Sequence, residues 1–196
     1  MRNIPIFFFA SEADIPGLAI ALNSIRDNVS KRYKCLIHIL FYELSKESVL
    51  RLIALEGRNF TLKFAPVNSP ADMDSLSLCF LVSRLFPAYD KCIFLHPDVV
   101  VSGDISELWE EPLGWRTVGA VGGKTDSGVL LVNLKRLRDA DSSPILSDID
   151  ILYLDPCWYS DPEDSDSLVT ESQIIRYRPS LRMLFLDFLP RYAMLP

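Results

Sequence analysis

Apolar residues follow two rhythms along this chain, and their alternation sets the expectation for the fold. IPIFFFA (4–10) is a short continuous apolar run, the pattern of a strand buried on both faces of a parallel sheet. After the polar stretch SEADIPG, residues Leu18, Ala21, Leu22, Ile25 and Val29 recur at helical spacing, with Pro16 suited to the first turn. CLIHILFY (35–42) reads as a second strand. Ser45 then stands as an N-cap, with Glu47 in the first turn behind it, Val49, Leu52 and Ile53 on one face, and Gly57 at the close. FTLKFAPV (60–67) is a third strand, and residues 74–86 predict a mostly buried helix that stops before Pro87. KCIFL follows as a fourth strand, which Val99-Val100-Val101 continues beyond an interruption, His96-Pro97-Asp98.

The second half repeats the alternation with shorter pieces. Asp104 is placed to cap a short helix through Trp109, whose indole is expected to pack; VGAVGG and SGVLLVNL (127–134) are two more strands, with Gly122-Gly123 a turn. KRLRDAD reads as a short basic helix with Lys135, Arg136 and Arg138 on a solvated face, and residues 155–168 as an acidic loop. TESQIIRYR is expected to form a last helix and RMLFLDF a last strand. Strands and helices alternating in this way predict a mostly parallel α/β sheet with helices on both faces, in one domain over residues 1–196.

Composition narrows the partners. Hydrophobic residues make up 49% and charged residues 23%, so the chain is globular, and a net charge of −6 argues against nucleic acid and against an anionic membrane surface. No stretch approaches the ~20 apolar residues of a membrane span. The opening apolar run contains Pro5 and leads into acidic residues, unlike a signal peptide. Cys35, Cys79, Cys92 and Cys157 form no C-x-x-C pair, which suits reduced thiols and a cytoplasmic location.

Ligands of open α/β sheets bind outside the carboxyl ends of the strands. That rule points to Ala10–Asp14 after the first strand, Val67–Asp74 after the third, and His96-Pro97-Asp98 after the fourth. Residues i and i+2 of an extended backbone share a side, so His96 and Asp98 project together. An imidazole with a carboxylate suits a divalent transition metal such as Mn²⁺. The alternative is a kink at Pro97 with both side chains bonded to nearby backbone.

Four stretches resemble glycosyltransferase family 8, the group of glycogenin and the bacterial lipopolysaccharide galactosyl- and glucosyltransferases. IPIFFFASEADIPGLAIALNSI is similar to that family's opening strand, nucleotide-binding turn and helix. FPAYDKCIFLHPDVVVSGDISELW resembles P-x-Y-D-K-x-Y-L-D-x-D followed by G-D-x-x-x-L-W. DSGVLLVNLKRLR resembles F-N-x-G-V-L-L-I-N-L-K-x-x-R, and TESQIIR with LFLDFLPRY stands where the family has D-Q-D-x-L-N and its next strand.

The resemblance implies a GT-A fold and retaining transfer of a hexose from a UDP-sugar, with Mn²⁺ neutralising the diphosphate, to a saccharide or lipid-linked acceptor. It implies His96 and Asp98 as metal ligands; Ala10, Ser11, Glu12, Asp14 and Ser127 around the nucleotide; and Asp126, Glu171 and Ser172 at the donor sugar. Several positions depart from the family pattern. His96 replaces the first Asp of D-x-D, Cys79 stands where an arginine helps hold the donor, and no H-x-x-G-x-K-P-W segment follows before Pro196. The shortened acceptor and metal segment leaves a second expectation: a relative with a degenerate site that binds nucleotide weakly or serves as an interaction domain. A third expectation is structural: a shortened domain that needs a partner over its C-terminal end, for which a homo-oligomer that buries RMLFLDFLPRYAML would be the supporting observation.

Overall fold

Alternate residues of the first strand face two different layers, which organises the whole molecule. The computed structural model describes residues 1–68, 73–126, 128–139, 149–162 and 172–176. Within β1 (Arg2–Phe9), Ile4, Ile6 and Phe8 face one apolar cluster and Phe7 faces the other, as the period of two requires. The first cluster lies under α1 (Ile15–Asn28), with Leu18, Leu22 and Ile25 fully buried. β2 (Tyr33–Phe41), α2 (Lys46–Ile53) and β3 (Phe60–Pro66) follow, and Ser45 caps α2 as expected by accepting the backbone N–H of Ser48. The second cluster lies under α3 (Ser75–Leu85), through Leu76, Cys79 and Val82.

β4 (Lys91–Leu95) then runs beside β1, and β5 (Val99–Val101) leads to α4 (Ile105–Glu110), which Asp104 caps through the N–H of Ser106. Lys91 ties β4 to the end of α4: its ammonium donates to the carbonyls of Trp109 and Glu111 at 2.6 and 2.8 Å and lies 4.9 Å from the Trp109 ring centroid. β6 (Val118–Val121), β7 (Val129–Asn133), α5 (Leu134–Asp139), β8 (Ile151–Leu154) and β9 (Ile174–Arg176) complete the described elements. Gly122 and Gly123 turn with φ of 60° and 70°, as expected for that pair.

Seven strands form one sheet in the order β3-β2-β1-β4-β7-β6-β8. All neighbours are parallel except at β7, which runs against both β4 and β6. The strand order reverses direction between β1 and β4, so a crevice opens at their carboxyl ends.

Two predicted elements are corrected. Val99–Val101 does not prolong β4; it pairs antiparallel with Ile174–Arg176 in a separate two-stranded sheet. The predicted last helix is therefore a strand over Ile174–Arg176, because the apolar Ile174 and Ile175 find a valine partner strand, and tertiary pairing overrides local propensity. β8 was not expected from the pattern at all; it is short, and of its four residues only Leu154 is buried. Arg138 is also less solvated than its helix face suggested, donating to the carbonyl of Tyr89 at 2.8 Å and pairing with Asp90 at 3.0 Å. The predicted strand RMLFLDF lies outside the described residues.

Candidate functional site

The turn after β4 is held from several sides. The backbone N–H of His96 donates to the carbonyl of Gly128 at 2.9 Å, beside the start of β7. From the opposite layer, Ser24 accepts the N–H of Val101 at 3.0 Å and Asn28 donates to the carbonyl of Val101 at 2.9 Å, docking α1 on β5. Gly17, in the first turn of α1, allows the closest approach: a Cβ there would lie 3.0 Å from the Pro97 carbonyl oxygen. Gly17→Ala is therefore expected to lower the melting temperature by several degrees, since about 1–3 kcal/mol of overpacking converts to roughly 2–4 °C per kcal/mol in a domain of this size. Gly57→Ala, where an added Cβ meets nothing within 4 Å, serves as the neutral comparison. Equal melting points for the two variants would show that the helix does not press on the turn.

A cavity of about 410 Å³ opens where the topology places it. Phe9 at the end of β1, Asp74 and Ser75 at the start of α3, and His96, Asp98 and Arg176 line it, with Asp14 and Asp126 at its edge. Ser75 Oγ lies 2.8 Å from Nε2 of His96. Burial holds the imidazole below its ordinary pKa, with Asp98 opposing, so His96 is neutral at neutral pH. The antiparallel register of β5 and β9 sets Arg176 opposite Val99, next to Asp98. Its Nε donates to Oδ2 of Asp98 at 2.9 Å, and its Nη1 lies 3.5 Å from Asp161. The other oxygen of Asp98, Oδ1, is buried with no hydrogen-bond partner among the described residues.

Of the residues expected at the site, the structure brings His96, Asp98, Asp14 and Asp126 to one cavity. Ala10, Ser11 and Glu12 do not line it. Ala10 is buried with its N–H on the carbonyl of Leu40. Ser11 donates to Asp14 through both its backbone and hydroxyl. Glu12 faces α2, accepting from the hydroxyl of Ser48 and from the N–H and hydroxyl of Ser45, which hold its carboxyl below the usual range. Ser172 lies near the neighbouring strand, its carbonyl accepting from Ser102 Oγ at 2.7 Å, and it does not line the cavity. Glu171 and Ser127 lie outside the described residues.

Arg176 was missed. Its signal was its place as the last residue of TESQIIR, where the D-Q-D-x-L-N pattern has a neutral amide.

Tested for a divalent metal, the described side chains do not fit. A neutral imidazole and one carboxylate are two donors, and a guanidinium already sits on that carboxylate. No group of three His, Cys, Asp or Glu side chains that could hold an ion occurs among the described residues.

An open α/β sheet with a cavity at its switch point defines a class of fold that takes its ligands at the carboxyl ends of the strands. Within that class the chain belongs to glycosyl transferase family 8, whose model matches residues 5–128, more than half of its length. A 40-residue stretch is 48% identical to a probable galacturonosyltransferase 14 of Arabidopsis thaliana, covering 20% of this chain and 8% of that protein. Among solved structures, the apo form of the bifunctional glycosyltransferase WbbM superimposes with a TM-score of 0.79 at 18% identity, over 100% of this chain and 50% of WbbM. The galactosyltransferase LgtC in complex with donor and acceptor sugar analogs gives a TM-score of 0.72 at 17% identity over 98% of both chains. The chain thus spans half of WbbM and less than a tenth of the plant protein, and the structural likenesses establish the GT-A fold. No helix among the described residues is long and apolar enough to cross a membrane.

Proposed function

We propose that this chain transfers a hexose from a UDP-sugar, with retention at the anomeric carbon, to a saccharide or lipid-linked acceptor. The observation that carries this reading is the cavity of about 410 Å³ at the switch point, in which the family's metal-strand stretch contributes His96 and Asp98 and the DSGVLL stretch contributes Asp126. Its size suits a ligand of nucleotide-sugar dimensions. In this reading Asp14 meets the nucleoside end and Asp126 lies beside the donor sugar, with Glu171 and Ser127 as further donor residues, while Ser172 acts from outside the cavity. Ala10, Ser11 and Glu12 act indirectly, Glu12 by fastening the turn after β1 to α2.

A second reading, a relative that binds nucleotide without catalysis, is favoured by Cys79. It stands where the family pattern has a donor-binding arginine and is 0% exposed, inside the cluster under α3.

Calorimetry with UDP, UDP-glucose, UDP-galactose and UDP-galacturonic acid, each with and without Mn²⁺, tests the donor class. Binding tighter than millimolar, weakened at least tenfold by Asp126→Trp at the exposed rim, is the expected result. Release of free UDP on incubation with one of these sugars separates the transferase from the binder. A folded protein that binds none of them at millimolar concentration, metal supplied, overturns both.

A further inference from the structure

We propose that Arg176 takes the place of a divalent cation at the donor diphosphate, so that the nucleotide binds without metal. The inference rests on the donor reading above and departs from the family expectation at one named group. A diphosphate brings concentrated negative charge and needs a cation opposite it. Among the described residues that line the cavity, Arg176 is the only permanent cation. Two of the carboxylates that line the cavity keep their charge but are fixed by neutral donors: Asp14 accepts from Ser11, and Asp74 accepts the N–H groups of Leu76 and Ser77 at the start of α3. Asp126 is exposed at the rim.

The guanidinium is held in place rather than left to sweep through solvent. Asp98 takes its Nε at 2.9 Å, Asp161 faces Nη1 at 3.5 Å, and the side chain is 25% exposed. Two carboxylates therefore orient one planar fork while part of it faces the cavity, the arrangement that suits an oxyanion ligand. A metal on the unpartnered Oδ1 of Asp98 would bind beside the positive charge that Arg176 places on Oδ2, with a neutral imidazole as its second ligand. The loss at Cys79 and the gain at Arg176 are then one change: the cation that serves the donor has moved to β9. Asp98, in this account, is a positioning residue that holds the guanidinium and is not a metal ligand.

The test is UDP and uridine binding by calorimetry in EDTA and in Mn²⁺, for wild type, Arg176→Gln, Arg176→Lys and Asp98→Asn, with melting curves to confirm folding. The expected result is UDP binding in EDTA that Mn²⁺ does not strengthen. Arg176→Gln should weaken UDP by about tenfold to a hundredfold, as removal of a charge-assisted contact does, and leave uridine unchanged. Arg176→Lys should recover part of the loss, and Asp98→Asn should still bind UDP in EDTA.

UDP binding that appears only with Mn²⁺ overturns the inference and leaves the donor reading standing. No UDP binding in either buffer overturns the donor reading itself. An equal loss of UDP and uridine in Arg176→Gln reduces Arg176 to a structural role and also overturns the inference. Should Arg176→Gln fail to fold, the wild-type comparison of EDTA with Mn²⁺ and the lysine variant decide alone.

Discussion

Phe7→Ala will cost about 3–5 kcal/mol of folding free energy, a large share of the roughly 5–15 kcal/mol that holds a domain of this kind together. Phe7 sits in the central strand, between its partners His38 on β2 and Phe94 on β4, and is 0% exposed. Its ring stacks on the His38 imidazole at 4.6 Å and meets the Phe86 ring edge-on at 5.0 Å. Truncation removes those contacts and leaves a cavity between sheet and α3 that strands hydrogen-bonded on both sides cannot close. Urea denaturation reads the loss as a lower midpoint with an unchanged slope. Tyr42→Ala, at a residue 58% exposed, should stay within about 0.5 kcal/mol. A Phe7→Ala loss of under 1 kcal/mol would mean that the layer beneath α3 is not packed as described.

The second large effect is a pH dependence from the same cluster. His38 is 2% exposed, and burial first, then the positive charge of Lys63 on β3, pushes its pKa down to about 4 from an ordinary value of 6.5. The folded state thus prefers the neutral imidazole. Above pH 6.5 the imidazole is neutral in both states and the full stability is present. Between pH 6.5 and 4 the unfolded chain takes up a proton that the folded chain does not, and stability falls. Below pH 4 both states are protonated and this contribution levels off. The full swing is about 3 kcal/mol at 1.36 kcal/mol per pKa unit. Comparing wild type with His38→Phe isolates it: the stability difference should slope across that window and flatten on either side. His38→Phe also strips the Tyr89 hydroxyl of its partner at 3.0 Å, a constant offset that does not bend the curve. Parallel curves for the two proteins would show that His38 is not held neutral.

Most of the sheet was legible because each strand advertises itself locally. IPIFFFA, CLIHILFY and KCIFL are runs that only a doubly covered strand tolerates, and Ser45, Asp104 and Pro16 punctuate the helices between them. What failed was long-range. Nothing near Val99 announces that it pairs with a segment some seventy residues on, so one strand was drawn too long and its true partner was read as a helix. The cavity was legible for a related reason. Carboxyl strand ends fix a place, and the likeness to the D-x-D stretch supplied His96 and Asp98. Side-chain engagement was not legible: Glu12 looks free in sequence and is bound to Ser45 and Ser48, whereas Arg176 looks like a surface residue and lines the cavity.

The pairing of β5 with β9 has a consequence for the order in which the molecule is built. The ion pair between Asp98 and Arg176 closes a loop spanning 78 positions, whereas β1, β2 and β3 join through neighbouring segments. Closing so long a loop is entropically costly and is rewarded only once the rest of the sheet is in place. A chain emerging from the ribosome therefore assembles the first strands of the sheet well before it owns a finished cavity. Until Ile174–Arg176 arrives, Asp98 stands without its counter-charge and the apolar Val99–Val101 lacks its partner strand, an exposed β-edge at the heart of the nascent protein.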